Sequence, residues 1–371
     1  MNSDESRRSE MKNVDQLDKN MQVQGLDGKD WQWISPLQSP VQITGLAWLE
    51  EEGIYRRLPK NPAWELPTAV DSLANCTAGG QIRFSTNSPR LAIRVRLSAP
   101  AGMYHMPATG QCGFDCYIGA PGAMRYFSTT RYDRTLSEYE CGLFDSKNID
   151  LKHITLNFPL YQGVEEVWLG VEPGSEVLAP PAYEHSGRIV FYGTSITQGG
   201  CASRPGMAFT NILSRNLNRE CINLGFSGNG KGEPALAHII SEIPDVDCYV
   251  LDYDANVASV EAMQETLPEF IRILREKQAQ TPILVISRVM AANEFYSEES
   301  LEKRLGKTQV QANTVAQLRK QGDKNITFLD GSRLMGEASL EGTVDGSHPT
   351  DLGFWEMAKT LTPVLRDVLE R

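Results

Sequence analysis

Three residues have the types and the order needed to do chemistry together. Ser195 lies in Gly193-Thr194-Ser195-Ile196-Thr197-Gln198-Gly199, and His348 follows Asp345 in Asp345-Gly346-Ser347-His348-Pro349. A serine hydroxyl is a weak nucleophile until a base stands within hydrogen-bond reach. An imidazole is such a base, and a carboxylate at its Nδ1 fixes the tautomer that turns Nε2 toward the serine. The chemistry such a set performs is acyl transfer, which also needs donors aimed at the developing oxyanion. Ser195 N–H is one candidate donor. Gly228, in Gly225-Phe226-Ser227-Gly228-Asn229-Gly230, can present a backbone N–H, and Asn256, in Asp252-Tyr253-Asp254-Ala255-Asn256, a side-chain amide. His105 and Thr194 are candidate substrate contacts. No residue set calls for a metal or a cofactor, and none is expected.

These residues are useful only if the fold brings them together, and the rhythm of the second half of the chain does so. Short apolar runs at 188–192, 221–224, 248–252, 283–287 and 326–329 read as strands. Helical stretches follow at about 206–217, 233–242, 261–279, 298–321 and 352–370. Regular βα repeats imply a five-stranded parallel sheet with helices on both faces, joined by right-handed crossovers. Ligands bind beyond the carboxyl ends of such strands. The Ser195, Gly228, Asn256 and His348 segments all follow strands, so all four open onto that edge.

Residues 31–180 have a different period. Ile93, Val95 and Leu97 alternate with Arg94 and Arg96, and Ile154, Leu156 and Phe158 alternate with Thr155 and Asn157. This is the pattern of half-buried strands, and turn residues at 87–89 and 120–122 punctuate it. An antiparallel β-sandwich is expected, ending in a linker at Leu178-Ala179-Pro180-Pro181. Residues 1–30 have no hydrophobic period and are expected to be a disordered tail. The division is therefore a tail (1–30), a sandwich (31–180) and an α/β domain (186–371).

The order Gly-x-Ser-Ile-Thr, Ser-Gly-Asn, Asn256 and Asp-x-x-His resembles the four blocks of the SGNH (GDSL-type) hydrolases. That resemblance implies a flavodoxin-like hydrolase domain with Ser195, Gly228, Asn256 and His348 as the named residues. Thr194 departs from the Asp that usually precedes the serine, and the Asn256 loop lacks the main family's Gly-x-Asn-Asp. Upstream, His105-Met106-Pro107-Ala108-Thr109-Gly110 and Gly113-Phe114-Asp115-Cys116-Tyr117 resemble the β-domain that precedes one bacterial SGNH subfamily, named for Gly-x-Asp-Leu-Tyr, with Cys116 in place of Leu. The resemblance implies a two-domain esterase laid out like the acetyl esterases of plant polysaccharides. A segment rich in His, Met, Thr and Tyr between turns is expected to face the Ser195 loop as a binding loop.

Composition excludes several alternatives. A formal charge of -11 opposes phosphate-backbone binding, which depends on Lys and Arg displacing counterions. No apolar run approaches the ~18 residues of a membrane helix. The first thirty residues lack the apolar core of a secretory signal, so a cytoplasmic protein is expected. Seven scattered cysteines suggest reduced thiols. Gly225 to Lys231 spells most of a phosphate-binding loop, but Gly232 stands where Ser or Thr would hold Mg²⁺. Trp31, Trp33, Trp48 and Trp64 would suit a catalytically inactive carbohydrate-binding protein, although at least two are expected to close the sandwich core. The reading favoured is a serine esterase acting on short acyl esters of carbohydrates, with acetyl the expected acyl group and a lipase or phospholipase as the alternative.

Overall fold

The computed structural model describes residues 14–18, 21–23, 25–26 and 28–370. Most of the expected disordered tail lies outside them. Within that stretch, α1 (Val14–Leu17) forms a single turn, and Lys29 pairs with Asp145 at 2.6 Å.

The first half builds two antiparallel sheets from β1 (Gln32–Ile34), β2 (Gln42–Thr44), β3 (Gln81–Thr86), β4 (Arg90–Leu97), β5 (Asp115–Ile118), β6 (Arg125–Thr129), β7 (Glu138–Asp145), β8 (Lys152–Asn157), β9 (Val164–Val171) and β10 (Val177–Leu178). One sheet has the order β1-β9-β4-β7; the other runs β10-β3-β8-β5-β6, with β2 also paired to β3. The period-two pattern explains the packing. Leu91, Ile93, Val95 and Leu97 of β4 meet Ile82, Phe84, Ile154 and Leu156 of the facing sheet in one core. The helices here are short: α2 (Leu49–Glu52), α3 (Thr68–Leu73) and α4 (Ala108–Gln111). The tryptophans lie elsewhere than expected. Trp31 and Trp33 pack over Gly170, Trp48 packs against a core of the second half, and Trp64 stacks on His238.

The second half contains β11 (Arg188–Gly193), α5 (Ser195–Gln198), α6 (Phe209–Leu217), β12 (Glu220–Gly225), α7 (Pro234–Ser241), β13 (Val246–Asp252), α8 (Val260–Lys277), β14 (Ile283–Ile286), α9 (Glu298–Lys320), β15 (Ile326–Leu329) and α10 (Asp351–Leu369). All pairings in its sheet are parallel and the order is β12-β11-β13-β14-β15. The order reverses at β11, so the strand carrying Ser195 stands at the topological switch point where doubly wound sheets bind ligands. Successive strand residues feed opposite layers. Val190 and Tyr192 join α7 and α8 in one core, whereas Ile189 and Phe191 join α6 and α10 in another. Among the described residues no helix is long and apolar enough to cross a membrane.

The halves share these cores. Leu58, Val70 and Ala74 complete one helical layer, and Ala78, Met106 and Leu160 complete the other. Gly110 packs so closely that a Cβ there would stand 2.1 Å from Ala202 O. Asp115, fully buried, accepts hydrogen bonds from Asn157 Nδ2 (2.7 Å), Arg204 Nη1 (2.8 Å) and Gly206 N (2.8 Å). Arg204 Nη1 also reaches Tyr117 Oη at 2.7 Å. The Gly113 to Tyr117 motif is therefore a latch between the halves, which corrects the expectation that this end of the segment lines the substrate pocket. Asp115→Asn removes the charge that Arg204 is buried against, a loss of about 3 kcal/mol for a buried pair. Urea unfolding should show a lowered midpoint; an unchanged midpoint would sink the latch.

Candidate functional site

The serine turn is set by local chemistry. β11 ends at Gly193, where a Cβ would stand 2.0 Å from Thr197 Oγ1, so no other residue lets the chain turn into α5 this tightly. Thr194 is the N-cap: its hydroxyl accepts from Ile196 N at 3.3 Å, while its own N–H donates to Thr197 Oγ1 at 3.3 Å. Buried and committed to this reciprocal cap, Thr194 braces the turn and does not present a hydroxyl to substrate, correcting its expected role. Ser195 occupies the first helical position, where its N–H has no partner within the helix. The residue is only 8% exposed, and Tyr161 Oη donates to its carbonyl at 3.0 Å.

Ser195 Oγ lies 2.9 Å from His348 Nε2, and His348 Nδ1 lies 2.7 Å from Asp345 Oδ2. An ionised carboxylate only accepts, so Nδ1 carries the proton and Nε2 is left to accept from the serine. The other Asp345 oxygen accepts from Ser347 N at 3.0 Å and His348 N at 2.7 Å. Burial acts to raise the Asp345 carboxyl, but the hydrogen bonds from His348 and Ser347 outweigh it and hold the group below its ordinary range. The spacing of three residues is thus used fully: one carboxylate shapes the loop and orients the ring.

Gly228 and Asn256 lie in the loops after β12 and β13, the strands on either side of β11. Gly228 is exposed in the left-handed region at φ +65°. The Asn256 amide donates to Asn229 O, in close contact, and to Phe226 O at 3.4 Å, so in this state it ties itself to the Gly228 loop. Two buried cations brace these loops, and the sequence reading did not single out either. Arg57 donates to Cys76 O (2.7 Å), Leu73 O (2.7 Å), Asn223 O (3.2 Å) and, in close contact, Gly225 O. Burial lowers its guanidinium to about 10, still well above neutrality. Lys307 of α9 pairs with Asp254 at 2.6 Å and donates to Asp254 O at 2.6 Å, holding the turn that carries Asn256. A helix so polar as α9 packed on a sheet is the one sequence signal that could have exposed this brace.

The Gly225 to Lys231 loop does not form a vacant anion cradle. Glu233 fills the place, accepting from Lys231 N at 2.9 Å and from Tyr192 Oη. From the first half, His105 reaches the site: its ring meets that of His348 edge-on at 5.9 Å and stacks on Tyr104 at 4.5 Å. The loop between α5 and α6 joins the two sides. Thr109 Oγ1 donates to Ser203 O at 2.6 Å, Ser203 N to Asp351 Oδ1 at 2.8 Å, and Cys201 N to Pro349 O at 3.3 Å.

Beneath the serine turn, Thr197 Oγ1 donates to Asp252 Oδ2 at 2.9 Å. Burial pushes the Asp252 carboxyl from 3.8 up to about 7; the Thr197 bond opposes the rise and nearby Asp254 adds to it. An acid whose folded value lies above its unfolded one binds more protons when folded, so stability is full at low pH and falls as pH rises between the two values. Asp252 should therefore contribute a decline in the denaturation midpoint as pH rises from about 4 through about 7. Asp252→Asn, which keeps an acceptor for Thr197, should flatten that decline; an identical profile in the variant would contradict the assignment.

Comparison with known proteins places this geometry in a family. Residues 186–366 match the GDSL-like Lipase/Acylhydrolase family, and residues 31–177 match the GxDLY N-terminus of SGNH-hydrolase-type esterases. A GDSL-like lipase from Bacteroides ovatus is similar over 92% of this chain and 98% of its own, with 30% identity and a TM-score of 0.84. A salicylyl-acyltransferase from a tetracycline biosynthetic pathway shares the fold at 18% identity and a TM-score of 0.72, covering 91% of this chain and 97% of that one. A family two carbohydrate esterase from Cellvibrio japonicus does so at 14% identity and 0.60, covering 92% and 98%. Among proteins of curated function none matches the sequence. With the Bacteroides structure matched along nearly its whole length, the chain belongs to the GDSL-like (SGNH) lipase/acylhydrolase family and is a carboxylic ester hydrolase.

Proposed function

We propose that this esterase removes short acyl groups, with acetyl as the acyl group and a sugar hydroxyl as the alcohol, through an acyl-Ser195 intermediate. The observation that carries the reading is the continuous hydrogen-bond chain from Ser195 Oγ through His348 to Asp345, at 2.9 and 2.7 Å. Ser195 Oγ attacks the ester carbonyl while its proton passes to His348 Nε2. Negative charge on the carbonyl oxygen is met by the N–H groups of Ser195 and Gly228 and by the Asn256 amide, which turns from its long contact with Phe226 O. His348 then protonates the leaving alcohol. Water, deprotonated by the same nitrogen, cleaves the acyl-enzyme and restores Ser195. Asp345 stays ionised throughout and stabilises the imidazolium. None of these steps needs a metal.

Two features support the substrate class. The segments rising from the carboxyl ends of β12 to β15 are turns and 3-10 helices, without an amphipathic helix to cover a long acyl chain. Exposed aromatic rings lie on two segments that touch the triad: Tyr104, 94% exposed, beside His105, and Phe295 and Tyr296, 66% and 95% exposed, in the segment whose Ala292 N donates to Gly346 O. Planar rings of this kind serve as platforms for sugar faces. A carbohydrate esterase of the same fold supports this choice. His105, from the β-sandwich half, is assigned to the alcohol side of the site.

Turnover of a chain-length series of aryl esters should fall steeply beyond the shortest acyl groups, and acetylated oligosaccharides should be better substrates than either. Preference for long acyl chains would favour a lipase. Ser195→Ala and His348→Ala should each lose several orders of magnitude in kcat, and the double variant should be hardly worse, because the pair acts as a unit. Asn256→Ala should cost about 10² to 10³ in kcat with little change in KM. Asp345→Asn should be impaired but above background. Activity should fall at acid pH as His348 takes a proton, and EDTA should not reduce it. Near-normal turnover by folded Ser195→Ala would end the proposal.

A further inference from the structure

We propose that His105, His348 and Asp345 form a binding site for a zinc-class divalent cation, and that filling it switches the esterase off. One nitrogen from each imidazole and one carboxylate oxygen lie within 4.8 Å of one another. His105 Nδ1 is buried and has no hydrogen-bond partner. Buried polar atoms are almost always satisfied, and one left open on a ring beside a second imidazole and a carboxylate points to a ligand that completes the set. Two imidazoles and a carboxylate match zinc and its neighbours; calcium and magnesium take oxygen donors instead.

The geometry needs only a small adjustment. Bonds of about 2.0 to 2.1 Å place the donors around one ion roughly 3.3 Å apart. His105 can close the difference, because it belongs to an irregular segment and its stacking neighbour Tyr104 is almost fully exposed. Three protein ligands leave the fourth position to water.

Binding would silence the enzyme whichever nitrogen of His348 coordinates. At Nδ1 the ion replaces a proton, which leaves to water, and takes over the Asp345 carboxylate that orients the ring. At Nε2 it occupies the lone pair that must accept the Ser195 proton. Because His105 comes from the β-sandwich half, that half would supply the ligand that makes the site selective. The inhibitory part of this inference rests on the acyl-enzyme reading; the binding part does not.

Calorimetric titration of Zn²⁺ into metal-free, full-length Ser195→Ala measures binding without turnover. A single ion per chain is expected, with affinity at least about tenfold weaker after adding His105→Gln or Asp345→Asn, in line with the cost of disturbing a metal's ligand set. Zn²⁺ should raise the Tm of Ser195→Ala and not that of the Ser195→Ala/His105→Gln double variant, whose own melting transition shows that it is folded. Co²⁺ in the same site should give visible bands without thiolate charge transfer, which separates it from the seven cysteines. With the unaltered chain and an aryl acetate, added Zn²⁺ should suppress turnover and EDTA should restore it, while His105→Gln should need at least about tenfold more Zn²⁺. Equal binding with and without His105, no binding at all, or a thiolate spectrum would overturn the site. Zinc binding as described, in a chain that hydrolyses no ester, would support the site and count against the catalytic reading alone.

Discussion

The buried carboxylate of Asp115 is the contact on which the rest of the arrangement depends. It lies on β5 of the sandwich, yet two of its three donors, Arg204 and Gly206, belong to the loop between α5 and α6. That loop begins beside Ser195 and holds the start of α10 through Ser203 and Asp351. A buried charge must be paired and hydrogen-bonded or it destabilises the fold, so the two halves can dock in only one register. The position of His105 relative to His348 follows from that register. The motif for which the β-domain is named is, in this chain, a fastening whose tyrosine and aspartate meet the same arginine.

The same logic recurs in the loops that carry the proposed oxyanion donors. Arg57 spends its donors on carbonyls at the end of β12 and on its own half, while Lys307 and Asp254 fix the turn after β13. Apolar packing alone would allow these loops to slide, because hydrophobic contact is non-directional. Hydrogen bonds from a buried guanidinium to specific carbonyls are directional, and they lock the loops that present Gly228 and Asn256.

Much of this was legible in the sequence where periodicity or local chemistry controls the outcome. The five parallel strands and their helices fall within a few residues of the expected runs, because a strand buried on both faces and an amphipathic helix each impose their own pattern. Asp345 and His348 were readable because their relation is local. Thr194 was not: residue type alone cannot distinguish a hydroxyl that caps a helix from one that meets a ligand. Arg57 and Lys307 were not readable either. Their partners are backbone carbonyls or a distant aspartate, and long-range pairing leaves no mark on spacing. The 105–117 segment divides for the same reason, its first residue at the triad and its last residues in the latch between the halves.

The histidine loop achieves its precision without deep burial. Asp345 is exposed and His348 only half-buried, so burial cannot be what holds the ring in place. Backbone ties do that instead. Val344 N donates to His348 O at 2.9 Å, Ala292 N to Gly346 O at 2.7 Å, and Thr350 N to Gly342 O at 2.7 Å. The first closes the loop on itself, the second anchors it to the segment after β14 and the third closes its base, and the Asp345 carboxylate adds two bonds within it. A base held this way keeps access to water, which the proposed acyl-enzyme cycle requires it to activate in its second half. Its carboxylate is held ionised against the effect of burial by hydrogen bonds from His348 and Ser347, with the charge of the His348 ring adding to them. In the proposed cycle, an open but rigid imidazole can therefore serve both the leaving alcohol and the incoming water without the loop having to move.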